Sequence, residues 1–253
     1  MPSAESNGFN IAATLLGLAC SGVVFAQDIE PRRWTPLPVG TNIAGAGYVY
    51  TDGEISVDPV FKLDDTTVEV SSTVVSFLHA FDLMGRSARF DVRSSHHQAR
   101  WKGLLDGEPR KVGRTGLGDP RVRLSINLLG APAFTEPEYR AFRASCPVST
   151  VVGVALAVTL PLGEYKKDKL LNLGQNRFVL RPQLGVVHSR GPWSYELTGS
   201  VFLFTDNDEF RTDRRREQDP LFALQSHIIY TSTSRWWASL SAAYDWKGAS
   251  RVD

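Results

Sequence analysis

Hydrophobic and polar residues alternate with a period of two along most of the chain, the pattern of strands with one greasy and one wet face. Residues 121–129 show it most cleanly: Val122, Leu124, Ile126 and Leu128 lie on one side, with Arg121, Arg123, Ser125 and Asn127 on the other. Residues 150–160 set Val152, Val154, Leu156, Val158 and Leu160 against the small Gly153, Ala155, Ala157 and Thr159. In residues 177–188, Phe178, Leu180, Leu184 and Val186 oppose Arg177, Arg181, Gln183 and Gly185. In residues 193–203, Trp193, Tyr195, Leu197, Val201 and Leu203 oppose Ser194, Glu196, Thr198 and Ser200. Further strands are predicted over 42–50, 66–81, 86–95, 218–230 and 236–246, which makes about nine.

Most of these segments run to roughly 9–14 residues, beyond the ~5–6 usual in soluble sheets and suited to tilted membrane strands of about 9–11. Long polar connections (51–65, 96–116, 163–176, 206–217) alternate with short ones (82–85, 189–192, 231–235). That alternation is expected when one barrel end carries loops and the other tight turns. The connection 130–148 belongs to the short side by parity yet is long. Within it, Thr135-Glu136-Pro137-Glu138 predicts a brief helix with Thr135 as N-cap and Pro137 in the first turn. Aromatics gather near strand ends, where a membrane-interface girdle places them: Tyr48, Tyr50, Phe77, Phe81, Trp193, Tyr195, Phe202, Phe204, Tyr230, Trp236, Trp237, Tyr244 and Trp246. Packed between two soluble sheets, the charged faces would be buried without partners, at a high cost. A water-filled lumen removes that difficulty, so the expected fold is all-β, an antiparallel transmembrane β-barrel.

Residues 11–26 (IAATLLGLACSGVVFA) are apolar and rich in small residues, too short to span as a helix, and end in an A-x-A-like cleavage site before Gln27. Residues 1–26 are therefore read as a signal peptide, although residues 1–10 carry Glu5 and no Lys or Arg, and residues 27–253 as the barrel domain. Cys20 is a poor lipoprotein acceptor, because Gly17 stands where a lipobox wants Leu. Residues 27–40 hold three prolines, Pro31, Pro36 and Pro38, and read as an irregular lead-in. A strand count of nine is odd, whereas single-chain bacterial barrels are even, and residues 250–253 bring no strand-terminal aromatic. The expectation is a barrel short of about three C-terminal strands, with an exposed edge at residues 236–246.

Composition narrows the function. With 28 Lys+Arg against 27 Asp+Glu, net charge +1 and 22% charged residues, the chain is neither a disordered polyelectrolyte nor a basic nucleic-acid binder. Cys20 and Cys146 make no disulfide framework or zinc motif, and no apolar run reaches the roughly 20 residues of a spanning helix. Gly113-Arg114-Thr115-Gly116-Leu117-Gly118-Asp119-Pro120 lacks the Walker Lys-Ser/Thr and reads as a loop-to-strand turn. His96 and His97 would point to opposite sides of a strand, so they make a poor chelate and read as part of a wet loop. No G-x-S-x-G elbow picks out a catalytic triad, and no enzyme activity or cofactor is expected. The acidic 205–209 stretch lacks the Gly and Glu of a calcium loop. The basic 211–216 stretch reads as a solvated charge run, with lipopolysaccharide phosphates as the alternative partner.

Several segments match the pattern of a known family. They are Leu37-Pro38-Val39-Gly40-Thr41-Asn42, Phe81-Asp82-Leu83-Met84-Gly85-Arg86-Ser87-Ala88 and Gly116-Leu117-Gly118-Asp119-Pro120-Arg121-Val122-Arg123-Leu124. Further matches are Pro161-Leu162-Gly163-Glu164-Tyr165, residues 168–177 (DKLLNLGQNR), 204–210 (FTDNDEF) and 216–221 (REQDPL). Together they resemble the MetA-type phenol-degradation proteins, outer-membrane transporters of the phenol meta-cleavage pathway. The resemblance covers most of residues 37–246 and implies an outer-membrane barrel of about twelve strands that takes up aromatic or other hydrophobic compounds. It departs from the family only at its end, where the final strands are absent.

The polar-face arginines are the functional candidates. Arg89, Arg93, Arg121, Arg123, Arg177 and Arg181 all lie opposite apolar stripes, so in a barrel they project into the lumen and attract anions. Glu196 lines the same path, and the competing expectation is that Glu69, Asp91 and Glu196 pair with these arginines and fill the barrel. The leading expectation is a passive outer-membrane channel for small aromatic or hydrophobic solutes, with outer-membrane lipid as its surroundings and no nucleic-acid partner. The alternatives are a plugged structural or adhesion-type barrel and a soluble periplasmic binding barrel. The sequence leaves the solute and the oligomeric state open.

Overall fold

A computed structural model of the chain describes residues 29–54, 63–105, 108–169, 171–210, 214–233, 236–246 and 250–252. The expected export signal, residues 1–26, lies outside them, as does part of the basic stretch 211–216. In chain order the elements are β1 (Asn42–Glu54), β2 (Leu63–Leu83), β3 (Arg86–Leu105), β4 (Glu108–Leu117) and β5 (Arg121–Leu129). The helix α1 (Glu136–Ser145) follows, then β6 (Val148–Thr159), β7 (Val179–Arg190) and β8 (Trp193–Phe204). The chain continues through β9 (Asn207–Phe210), β10 (Arg214–Gln218), β11 (Leu221–Thr231), β12 (Trp237–Trp246) and β13 (Ser250–Val252).

The main sheet is antiparallel throughout and runs β1-β2-β3-β5-β6-β7-β8-β11-β12, a half-barrel of nine staves in sequence order. These are the nine strands that the alternation predicts, shifted by a few residues at their ends except for β3, which runs on from 95 to Leu105. β4 continues the line of β5 and pairs with the far half of β3, from His96 opposite Leu117 to Leu105 opposite Glu108. A small second sheet, β13-β10-β9, stands at the loop end. Among the described residues the outer edges of β1 and β12 have no strand partner.

The pairing corrects one expectation. Residues 96–105 and 108–116, read as part of a polar connection with His96 and His97 in a wet loop, form an antiparallel pair of the far half of β3 with β4, with β2 running along the other side of β3 to Leu63. Its strands escaped notice because both of their faces are polar outside the apolar band. The tight turns behave as expected. Met84 (φ 54°) and Gly85 (φ 76°) both take left-handed conformations, as a two-residue hairpin turn between right-twisted strands requires. Asp82 Oδ1 accepts the Gly85 N–H at 2.7 Å.

The predicted helix is present from Glu136, with Thr135 at its cap. The Thr135 N–H and hydroxyl both donate to Glu138 Oε2, at 2.8 and 2.7 Å. That backbone hydrogen bond, with the hydroxyl bond behind it, lowers the Glu138 pKa.

The usual distribution of polarity is inverted. Leu124, Leu156, Leu184, Leu197 and Leu224 are exposed on the convex face, while Arg123, Ser125, Asn127, Gln183, Thr198, Ser200 and Gln225 are buried on the concave one. An apolar outward band of this kind needs hydrocarbon around it rather than water. The buried apolar cluster is small and centres on a residue from outside the sheet: Trp34 with Ala131, Val151, Ala155 and Val187.

Candidate functional site

The lead-in fills part of the concavity. Pro31, Pro36 and Pro38 keep it from joining the sheet as a strand, and it runs along the polar inner face before turning into β1. At its lower end the Val39 N–H donates to the Phe134 carbonyl and the Gly40 N–H to the Ala80 carbonyl, both at 2.8 Å. Arg32 lies over the Trp237 ring, 5.5 Å from its centroid.

Higher up, Trp34 is 1% exposed and lies flat over two glycines of the wall, Gly153 on β6 and Gly185 on β7. A Cβ on Gly185 would stand 1.8 Å from the indole nitrogen, and one on Gly153 would stand 2.5 Å from the ring. Trp34 Nε1 donates to Thr198 Oγ1 on β8 at 2.8 Å, and Asn127 reaches the Trp34 carbonyl at 3.5 Å. The small inner stripe of β6 noted in the sequence is thus the floor on which the lead-in rests.

Beside Trp34 lies a charged seat. Arg33 donates its main-chain N–H to Glu196 Oε1 (2.9 Å) and its guanidinium to Asp91 (3.3 Å) and Ser125. Arg123 grips Asp91 with two nitrogens, Nε at 3.1 Å and Nη2 at 2.8 Å. The Glu30 carboxylate bridges two wall arginines, Oε1 taking Arg121 Nη2 at 2.6 Å and Oε2 taking Arg123. Burial disfavours charge on Glu30, yet Arg123, Arg121 and Arg33 outweigh it and hold the carboxyl well below the usual carboxylate range. The seat ties together β3, β5, β8 and the lead-in through charge-assisted bonds.

The seven lumen candidates all lie on the side of the wall that the lead-in covers. Arg121 and Arg123 enter the seat together, and Arg89 stands two residues from Asp91 on β3 with its Nε unpartnered. Arg93, directly opposite Arg121, lies just above. Arg177 and Arg181 stand apart from the seat. Arg177 donates to Gln175 Oε1 (3.2 Å) and to Gln218, and lies 4.5 Å from the Phe204 centroid. Arg181 donates to Ser200 (3.2 Å) and lies 4.4 Å from the Phe202 centroid. Glu196 faces the seat through the Arg33 N–H rather than through a wall arginine.

Three expectations change. Glu69 is not an inward acid: it lies opposite Arg100 on the outward side of β2 and pairs with Lys102 at 2.6 Å. Phe202 and Phe204 leave the girdle and face inward under Arg181 and Arg177, because they keep the parity of Ser200. Trp237 also faces the lead-in, beneath Arg32.

A second polar node at the loop end joins segments that carried the family resemblance. Asp119 accepts the Gly163 N–H on Oδ1 (2.9 Å) and the Gln175 N–H on Oδ2 (2.7 Å). Asn207 donates to the Tyr165 hydroxyl (2.9 Å) and the Gln175 carbonyl (3.1 Å), and Asn176 donates to Asn207 Oδ1 (3.1 Å). Glu30, Arg33, Trp34, Asp119 and Asn207 were not singled out by sequence reasoning. The signals were a Glu-Pro-Arg-Arg-Trp run facing a stripe of Gly and Ala, and single polar residues inside resembling segments.

A fold with greasy outside, polar inside and a strand-free segment laid along its concavity invites comparison with known proteins. The profile of the family described as "Putative MetA-pathway of phenol degradation" matches residues 51–250. The chain belongs to this family. Among solved structures it is similar to the crystal structure of an outer membrane channel from Pseudomonas putida F1. That match has 21% sequence identity and a TM-score of 0.65, and covers 89% of this chain and 79% of the other. At that identity the likeness establishes the fold. No curated protein is a significant match.

Proposed function

We propose that the chain is an outer-membrane channel through which small aromatic or hydrophobic compounds pass passively, without chemistry or a cofactor of its own. The observation that carries the reading is the inverted wall: an apolar convex face beside a concave face of Arg, Asp, Glu, Gln, Thr and Ser. Such a wall has use for water on its inside only. The family supports an aromatic-degradation context, and the channel from Pseudomonas putida supports passage across the outer membrane. Export would proceed through the signal at residues 1–26. Solute flux requires a path beside the lead-in or movement of the lead-in from its seat.

The test is liposome swelling with the refolded full-length protein, comparing phenol, benzoate and a sugar of similar size. Faster permeation of the two aromatics is the expected result. The second reading, a plugged structural or adhesive barrel, is favoured by the buried Trp34 and the charged seat. Verified insertion with no permeation by any of the three solutes would select it.

A further inference from the structure

Of the charged residues in the seat, one acid does not belong to the wall. Asp91 is fixed on β3, whereas Glu30 arrives on a segment whose main-chain hydrogen bond to a strand, from Gly40 to Ala80, lies ten residues away at its far end. Arg121 and Arg123 are two residues apart on one face of β5, about 7 Å along the strand, and converge on a single carboxylate with one oxygen each. Two donors held on a rigid strand and meeting at one two-oxygen group form a preorganised carboxylate site. Glu30 fills it.

The floor beside it suits a ring. Ala155 and Ala157 on β6 are 8% and 1% exposed and offer only methyl groups. Register carries Arg123 across Ala157 to Arg181 on β7, two strand spacings or about 10 Å away. Arg181 there lies over Phe202. The row therefore presents a carboxylate-binding arginine pair, an apolar gap and a cationic-aromatic pair.

Withdrawing the lead-in removes Glu30 and Arg33 together. Among the described wall residues it leaves Arg89, Arg121 and Arg123 beside Asp91 and Glu196, an excess of positive charge. We propose that Arg121 and Arg123 form an anion subsite for the carboxylate of a small aromatic acid, and that Glu30 is its resident stand-in while the lead-in is seated. The solute and the lead-in compete for the same two guanidinium groups. This deepens the channel reading and rests on it for the solute's route, but the subsite itself is a matter of binding.

Binding is therefore measured separately from flux, by equilibrium dialysis of benzoate and of neutral benzamide against the detergent-solubilised full chain. E30Q should bind benzoate at least tenfold more tightly than the unaltered protein, with benzamide unchanged, and the E30Q/R123Q double variant should lose the gain. E30D, whose shorter carboxylate does not span both arginines, should move in the same direction by a smaller factor and serves if E30Q does not refold. Equal gains for benzoate and benzamide, or none for benzoate, would overturn the subsite. Swelling assays on the same proteins address the channel: tight benzoate binding without permeation by any solute would remove the channel and leave the subsite standing.

Discussion

Two networks hold strand-free segments against this wall, and they use the same acid group in opposite ways. In the seat, Glu30 and Asp91 meet guanidinium groups from Arg33, Arg121 and Arg123. At the loop end, Asp119 meets main-chain N–H groups of Gly163 and Gln175. A main-chain donor is fixed by the fold and has one use, whereas a guanidinium can release one carboxylate and take another. The seat is built from exchangeable partners and the node from permanent ones. On the channel reading proposed above, the lead-in is the part that moves and the loop-end node the part that stays.

The comparison is most sharply tested by Arg123→Ala. It strips Asp91 and Glu30 of a shared partner inside the seat, and breaking a buried ion pair from one side costs about 3–5 kcal/mol. The expected result is a lower urea midpoint and new tryptic cleavage at Arg32 and Arg33 as the lead-in leaves its seat. Asp119→Ala should cost less, about 3 kcal/mol for two charge-assisted hydrogen bonds in a part-exposed setting. Its tryptic cleavage should appear at Lys166 and Lys169, with Arg32 and Arg33 still protected. If Asp119→Ala also frees the lead-in, the two networks are one cooperative unit and the distinction fails.

The Trp34 platform gives a third test, smaller because it adds bulk without stripping a charge. Gly185→Val places a Cβ where the indole nitrogen lies, and overpacking of this kind costs about 1–3 kcal/mol. Valine suits a strand, so β7 should keep its pairing while Trp34 is displaced. A red-shifted tryptophan emission, absent when Gly185→Val is combined with Trp34→Phe, is the expected readout. An unshifted spectrum would mean that the lead-in does not depend on the glycine floor.

These three sites also show what the sequence made legible. Period-two alternation placed the staves and told the inner face from the outer one, because a strand inside the apolar band has one greasy and one wet side. It could not show what lay on the wet side, so the arginines were found and their partners on the lead-in were not. Beyond the apolar band both faces are wet, and polarity stops distinguishing them. That is why Glu69 was assigned inward and why β4 was taken for a loop. Phe202 and Phe204 failed differently: strict parity already grouped them with Ser200, but aromatic character near a strand end suggested a girdle. The helix was recovered because its start signals are local, Thr135 at the cap and Pro137 in the first turn. Asp119 was hidden because its partners are backbone groups 44 and 56 residues away, which no side-chain pattern marks.

The smallest expected effect is that of mild acid. Glu30 has an unfolded pKa of about 4.3 and a lower folded one, since Arg123, Arg121 and Arg33 outweigh the opposing effect of burial. A depressed folded pKa means that its contribution is fully present above the unfolded value and is lost only as pH falls through the folded value. Between pH 8 and about 5 the seat should therefore hold, with no change in the Trp34 contribution to the emission spectrum. Release should come only in stronger acid, below the normal range for a glutamate. A release midpoint near pH 6 would assign control of the lead-in to a histidine, with the buried His227 on β11 the first to replace, and would detach acid sensitivity from the arginine pair altogether.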